Sequence, residues 1–231
     1  MSLPDDARAL AARIGHDFAD PALLVAALTH PSAKASRSAG PVRYERLEFL
    51  GDRVLGLVVA ELLVERYPAE DEGALSKRLM AVVRREALVE VGLKIGLGDV
   101  LRLAGVRRSL DDPTYATALA DGGEALIGAL YLDGGLDVAR RFVREHWAPL
   151  VTASRRPPKD PKTSLQEWAQ ARGLALPAYE LISAEGPSHA PDFRVRVSLT
   201  DGHTAEAAGR SKRAAEKVAA TRLLALLEDG T

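Results

Sequence analysis

Residues 44–56 read "YERLEFLGDRVLG", and their apolar members fit a helix. Leu47, Leu50, Val54, Leu57 and Val58 predict the side that packs against a core. On the remaining surface Glu45, Glu48 and Asp52 share one narrow strip. At about 100° per residue, their spacings of three and four keep them within roughly 60° of arc. Like charges along one helix face destabilise it by a few tenths of a kcal/mol per pair. Such a strip is either a solvated face or half of a cation site.

Working outward, the chain of 231 residues suits one large domain or two modest ones with real cores. Acids and bases nearly cancel, leaving a formal net charge of -1. A nucleic-acid partner must therefore be read from local clustering. With no cysteine, disulfides and thiolate metal sites are excluded. A reducing, cytoplasmic location is the expectation that fits. The opening "MSLPDDARAL" is acidic and has no signal-peptide character. Glu61, Glu65 and Arg66 interrupt the best apolar run, so a soluble protein with no membrane partner is expected.

The opening stretch belongs to a helix predicted over about 45–67, stopping before Pro68. Ahead of it "PALLVAALT", Pro21 to Thr29, is a short helix opened by Asp20. Beyond it Glu72 to Val91 continues as helix, with Leu75, Leu79, Val82, Val83, Leu88 and Val91 on the buried side. "GLKIGLGD", Gly92 to Asp99, reads as a glycine-punctuated turn. Helix then covers about 114–132, ends at "DGG", Asp133 to Gly135, and resumes over about 136–151. The absence of β-alternation predicts an all-α domain over about 1–153.

At "SRRPPKDPK", Ser154 to Lys162, paired prolines and charges predict a stiff linker over 154–162. Thr163 to Arg172 is helical, with Thr163 as its cap and Gly173 as its terminator. "AYELISAE", Ala178 to Glu185, and "FRVRVSL", Phe193 to Leu199, alternate at period two. A "TDGH" turn leads to a third strand near 204–208, and Ser211 to Glu228 is a closing helix. The expectation is a small α+β domain over about 163–229, in the order α-β-β-β-α.

A second acidic pair lies in "ADGGEALIGALYLDGG": Asp121 and Glu124, three apart and so on one helix face. Two helices of a bundle could point both acidic sets into one cleft. At about 5 Å and an effective dielectric near 20, each such pair repels by roughly 3 kcal/mol. Four or five carboxylates stay ionised together only if a divalent cation neutralises them. Hard oxygen donors without His or Cys select Mg²⁺ or Mn²⁺ over zinc. That set suits phosphodiester hydrolysis, one ion activating water and a second stabilising the leaving oxygen. Solvated helix faces are the competing reading.

"ERLEFLGDRVLG" resembles the signature segment of bacterial ribonuclease III, and "ALADGGEALIGALYLDGG" its second acidic motif. "AALTHPSA" and "EGALSKRLMAVVRREAL" match in position and character, and the tail resembles a double-stranded-RNA-binding domain. The likeness spans nearly the whole chain, in order. It implies metal ligands at Glu48, Asp52, Asp121 and Glu124, and a site-organising role for Glu45. Glu48, Asp121 and Glu124 would hold the catalytic ion, with Asp52 orienting water or sharing a second one. Phe49 matches a residue packed across a two-fold interface, though packing in its own core is equally open. The resemblance further implies a Mg²⁺-dependent homodimer that cuts double-stranded RNA to 5′-phosphate and 3′-hydroxyl ends, as in rRNA and mRNA processing. The alternative is a duplex-RNA-binding regulator whose nuclease domain only dimerises.

Several positions depart from the family pattern. Arg53 replaces a small polar residue, and Tyr44 replaces Asn. Gly122 and Gly123 stand where better helix formers are usual, and two helical glycines cost about 1 kcal/mol each relative to alanine. They are expected to loosen the spacing of Asp121 and Glu124. "LAGVRRSLDDPTYATA" lacks the expected Gly/Glu-rich loop.

In the tail, Arg210, Ser211, Lys212, Arg213 and Lys217 gather at a helix N-terminus, whose free N–H groups and partial positive charge suit phosphate. The resemblance makes these the major-groove phosphate contacts. It places Gln166, Gln170 and the loop residue His189 against flanking minor grooves. Glu216, where a basic residue is common, is expected to weaken phosphate binding. His30 and His146 receive no role.

Overall fold

The structure is a computed structural model that describes residues 3–33, 43–153, 160–185 and 191–229. The chain divides into two units, Met1–Pro158 and Lys159–Thr231. In the first, α1 (Asp5–Arg13) is a helix that the acidic opening residues did not announce. It buries Ala7, Leu10 and Ala11. Helix α2 (Pro21–Ala27) starts as expected, with the Asp20 side chain accepting from the Ala22 N–H and proline in the first turn.

Helix α3 (Tyr44–Arg66) carries the opening stretch. Leu47, Val54 and Val58 are buried, whereas Leu57 is half-exposed and does not belong to the core. The single helix expected over Glu72 to Val91 is two, α4 (Glu72–Val82) and α5 (Arg85–Lys94). Arg84, at φ -68° and ψ 161°, is extended, so the axis turns between them. The buried side chains keep helical spacing on both sides of the break, which is why it left no mark on the periodicity. The glycine-rich turn also holds a short helix, α6 (Leu97–Val100), entered through Gly96 in the left-handed region.

Helix α7 (Pro113–Ala153) is two helices joined at Gly135, whose φ of 75° only glycine adopts readily. The predicted break therefore falls where "DGG" placed it. Trp147 is buried and donates its indole N–H to the Val82 carbonyl at 3.0 Å, tying the end of α7 to α4. Arg140 and Arg144 of α7 pair with Glu61 and Glu65 of α3.

Helices α3 and α7 cross in backbone contact. A methyl group on Gly51 would sit 1.8 Å from the Glu124 carbonyl oxygen, and one on Gly128 would sit 2.1 Å from that of Leu47. Only paired glycines permit this approach. Gly122 and Gly123 do not loosen their helix, contrary to expectation. Both are buried, and a side chain at either would press on Leu101 or Leu88 at 3.1–3.3 Å. They exchange helix propensity for close packing.

The second unit runs α8 (Pro161–Ala171), β1 (Ala178–Glu185), β2 (Asp192–Ser198), β3 (Thr204–Gly209), α9 (Lys212–Asp229). Helix α8 is capped by Asp160, which accepts from the Lys162 N–H, with proline at its first turn. Thr163 is thus not the cap, because Asp-Pro just upstream satisfies the orphan donors first. The strands form an antiparallel sheet in the order β1-β2-β3. Val197 packs with Leu165, Ala169, Ala219, Ala220 and Leu223, which fill the space between sheet and helices, and Val195 is buried as well. A register shift between Leu181 and Ser183 marks a bulge in β1.

Candidate active site and nucleic-acid surface

The α3–α7 crossing sets the positions of the acids. Gly51 lies between Glu48 and Asp52, and it touches the backbone of Glu124 itself. Glu48, Asp121 and Glu124 each bring a carboxylate oxygen to within 4.8 Å of the other two. All three are half-buried. Burial is the first cause that raises the Glu48 carboxyl, followed by the charges of Asp121, Glu45 and Asp52. Burial likewise raises Asp121, against the opposing influence of His30 and Arg85. Glu124 is pushed up to about 7, by burial first and then by Asp52, Asp121 and Glu48. The site resists holding three negative charges unless a cation joins them.

Asp52 is the expected ligand that falls outside this trio. Its carboxylate accepts a charge-assisted hydrogen bond from neighbouring Arg53, although it still acts on Glu124. Glu45 is exposed at the rim and acts on Glu48. Tyr44 and His30, to which no site role was given, border the acids. The charges of Asp121, Glu48, Glu124 and Glu45 all bear on the Tyr44 hydroxyl, and burial first, then those charges, hold its proton far above the usual range. His30 packs edge-on against the Tyr44 ring, with centroids 5.4 Å apart. The signal was available: Tyr44 precedes Glu48 by one helical turn.

In the second unit, Gln166 and Gln170 are exposed on one face of α8. Ser211 accepts from the Ala214 N–H at 3.2 Å and so caps α9. Arg210, Lys212 and Arg213 are exposed about this helix end. Lys212, Arg213 and Lys217 line a concavity with Asp160, Lys162, Thr163 and Glu216. Lys217 is not a free cation here, since its ammonium pairs with Asp160 at 2.8 Å. Glu216 pairs with Lys162 at 2.6 Å, an arrangement that single-position reasoning missed because it spans 54 residues. His189 lies outside the described residues.

A family model described as "Ribonuclease-III-like" matches residues 20–150, and one described as "Double-stranded RNA binding motif" matches residues 161–227. "Ribonuclease 3" of Bradyrhizobium diazoefficiens is 50% identical over 217 residues, covering 94% of this chain and 86% of that protein. "Ribonuclease 3" of Azorhizobium caulinodans is 48% identical over 225 residues, covering 97% and 96%. The chain belongs to the ribonuclease III family.

Its first unit is also similar to the crystallised nuclease domain of ribonuclease III from Campylobacter jejuni. That likeness has a TM-score of 0.53 and 33% identity, over 61% of this chain and 97% of that one. As a ribonuclease III-family endoribonuclease, the protein has a helical nuclease domain followed by a double-stranded-RNA-binding domain. The family depends on divalent metal, and the acidic trio is a set of oxygen donors of the kind such an ion takes. Phe49, at 67% exposed, lies outside its own chain's core, which removes one of the two readings left open for it. No helix among the described residues is long and apolar enough to cross a membrane.

Proposed function

We propose that this protein is a Mg²⁺-dependent endoribonuclease that hydrolyses double-stranded RNA as a homodimer. It leaves 5′-phosphate and 3′-hydroxyl ends, and its substrates are structured precursors of rRNA and mRNA in the cytoplasm. The supporting observation is the convergence of Glu48, Asp121 and Glu124 from two helices held in backbone contact. These hard donors fit Mg²⁺, with Mn²⁺ as a substitute, and their mutual repulsion is what a divalent ion relieves. A bound ion supplies Lewis-acid chemistry, withdrawing charge from a phosphodiester and making water more acidic.

In this reading Glu48, Asp121 and Glu124 are the principal ligands. Asp52, one turn beyond Glu48, orients water or shares a second ion once Arg53 releases it. Glu45 organises the rim. Gln166, Gln170 and His189 meet minor-groove 2′-hydroxyls, while Arg210, Lys212 and Arg213 at the Ser211-capped helix end meet phosphates. Lys217 joins them only by exchanging Asp160 for phosphate. Residues 1–153 are the nuclease domain and 163–229 the body of the RNA-binding domain, whose first helix already begins at Pro161, inside the stretch 154–162 expected as linker.

The test incubates a long RNA duplex with and without Mg²⁺, using the wild-type protein beside Glu124→Gln. Metal-dependent cutting by the wild type, reduced at least about 100-fold in the variant, supports the proposal. A gel shift with intact duplex under all conditions transfers support to the binding-only regulator.

A further inference from the structure

Tyr44 leaves α3 one turn before Glu48 and therefore on the same side of the helix as that ligand. Its side chain is only 4% exposed, and the hydroxyl has no hydrogen-bond partner among the described residues. A buried hydroxyl left unpaired costs about 1–3 kcal/mol, so its retention calls for a reason. The ring is held from outside the helix. His30 packs edge-on against it at 5.4 Å, and the His30 turn is itself pinned. The His30 N–H donates to the Arg102 carbonyl at 3.1 Å. The ring's Nδ1 meets the Ser32 hydroxyl at 2.9 Å, and that hydroxyl accepts from the Ala104 N–H at 3.2 Å.

The groups whose charges bear on this hydroxyl are Asp121, Glu48, Glu124 and Glu45, in that order, and all are acceptors. A carboxylate offers about four lone-pair positions, of which a cation occupies one or two. The remaining positions want donors, and ligands so supported are oriented rather than free to swing. His30 and then Arg85 also bear on Asp121. The His30 ring, however, is only half-buried and its Nδ1 is engaged by Ser32. The Arg85 guanidinium is half-exposed and reaches toward the Thr117 hydroxyl at 3.4 Å. The phenol is the buried donor at hand.

We propose that the Tyr44 hydroxyl is a positioning donor of this site: it hydrogen-bonds the Asp121 carboxylate and fixes the orientation in which that ligand meets a divalent ion. The inference rests on the metal-site reading above. The bond is not among those of this structure; the carboxylate completes it on binding a cation. Tyr44 touches no substrate in this role and acts only through its neighbour.

Tyr44→Phe in the full chain removes the hydroxyl and keeps the ring. Mn²⁺ binding is measured by calorimetry on RNA-free protein, together with the melting temperature in chelator. The expected result is Mn²⁺ affinity lowered about 10-fold or more, with a metal-free melting temperature equal to or above that of the wild type, since no hydrogen bond is lost. Duplex cleavage should recover toward the wild-type rate as Mg²⁺ is raised. Unchanged Mn²⁺ affinity overturns the inference, and if duplex binding weakens instead, the hydroxyl belongs to the RNA. A fall in metal-free melting temperature that accompanies the affinity loss overturns it too, by making Tyr44 a packing residue. Wild-type protein that binds no Mn²⁺ is a different failure, and removes the metal-site reading itself.

Discussion

At Glu124, half-buried among Asp52, Asp121 and Glu48 with only Arg53 in opposition, protonation competes with the proposed metal binding for one carboxylate. Its carboxyl is raised from 4.5 to about 7 in the folded protein. The folded state therefore binds this proton more tightly than the unfolded chain does. The associated stability is present below about pH 4.5 and is lost as pH rises through about 7. Glu48 and Asp121 shift in the same direction. Carboxylates held low elsewhere, such as Glu70 by its hydrogen bonds to Arg78, contribute the opposite slope at acid pH. The comparison that isolates the site is wild type against Glu124→Gln, melted in chelator. The variant should gain stability relative to wild type between pH 5 and pH 8, and a constant difference across that range would refute the assignment. Mn²⁺ affinity should rise over the same window, because the ion displaces a proton.

Among the elements, the α3–α7 crossing controls the site more tightly than any single ligand. Gly51→Ala drives a methyl group into the Glu124 carbonyl, a contact that only backbone movement relieves. Overpacking of this kind costs about 1–3 kcal/mol, occasionally more. It should separate the acidic helices as well. Chemical denaturation and Mn²⁺ titration of Gly51→Ala should thus show both lower stability and weaker metal binding. A destabilised protein with full metal affinity would mean that the helices can part without moving the carboxylates. In the RNA-binding domain, the start of α9 divides its cations between two tasks. Lys212 is exposed, whereas Lys217 joins Asp160, the cap of α8. Lys212→Ala should lower the slope of log affinity against log salt by about 1 without changing which duplexes are bound. Lys217→Ala should change that slope less and lower the melting temperature of the domain. Equal slopes for the two variants would show that RNA readily displaces Asp160.

For the molecule as a whole, exposed apolar residues mark one side of α3. Phe49 is 67% exposed, Leu57 50% and Val64 59%, at spacings of eight and seven that return to one helix face. The proposed homodimer accounts for them, since large apolar side chains repeated along one helix face suit a partner surface better than water. Phe49→Asp should yield monomers by sedimentation at concentrations where the wild type is dimeric, with duplex cleavage reduced in step. A variant that remains dimeric would place the interface elsewhere.

Most helix positions, though not α1 or α6, the α-β-β-β-α order, both acidic sets and the basic helix start were legible in the residues alone, because periodicity, capping and charge spacing are local properties. Locality also explains the misses. The Arg84 break preserved helical spacing, so Glu72 to Val91 read as continuous. Gly122 and Gly123 looked like defects until Leu101 and Leu88 appeared against them. The Lys217–Asp160 and Glu216–Lys162 pairs join residues more than fifty positions apart. Which carboxylates meet was beyond sequence spacing altogether. The tertiary structure decided it by letting two glycines bring α3 and α7 into backbone contact, which gathers Glu48, Asp121 and Glu124 and leaves Asp52 with Arg53.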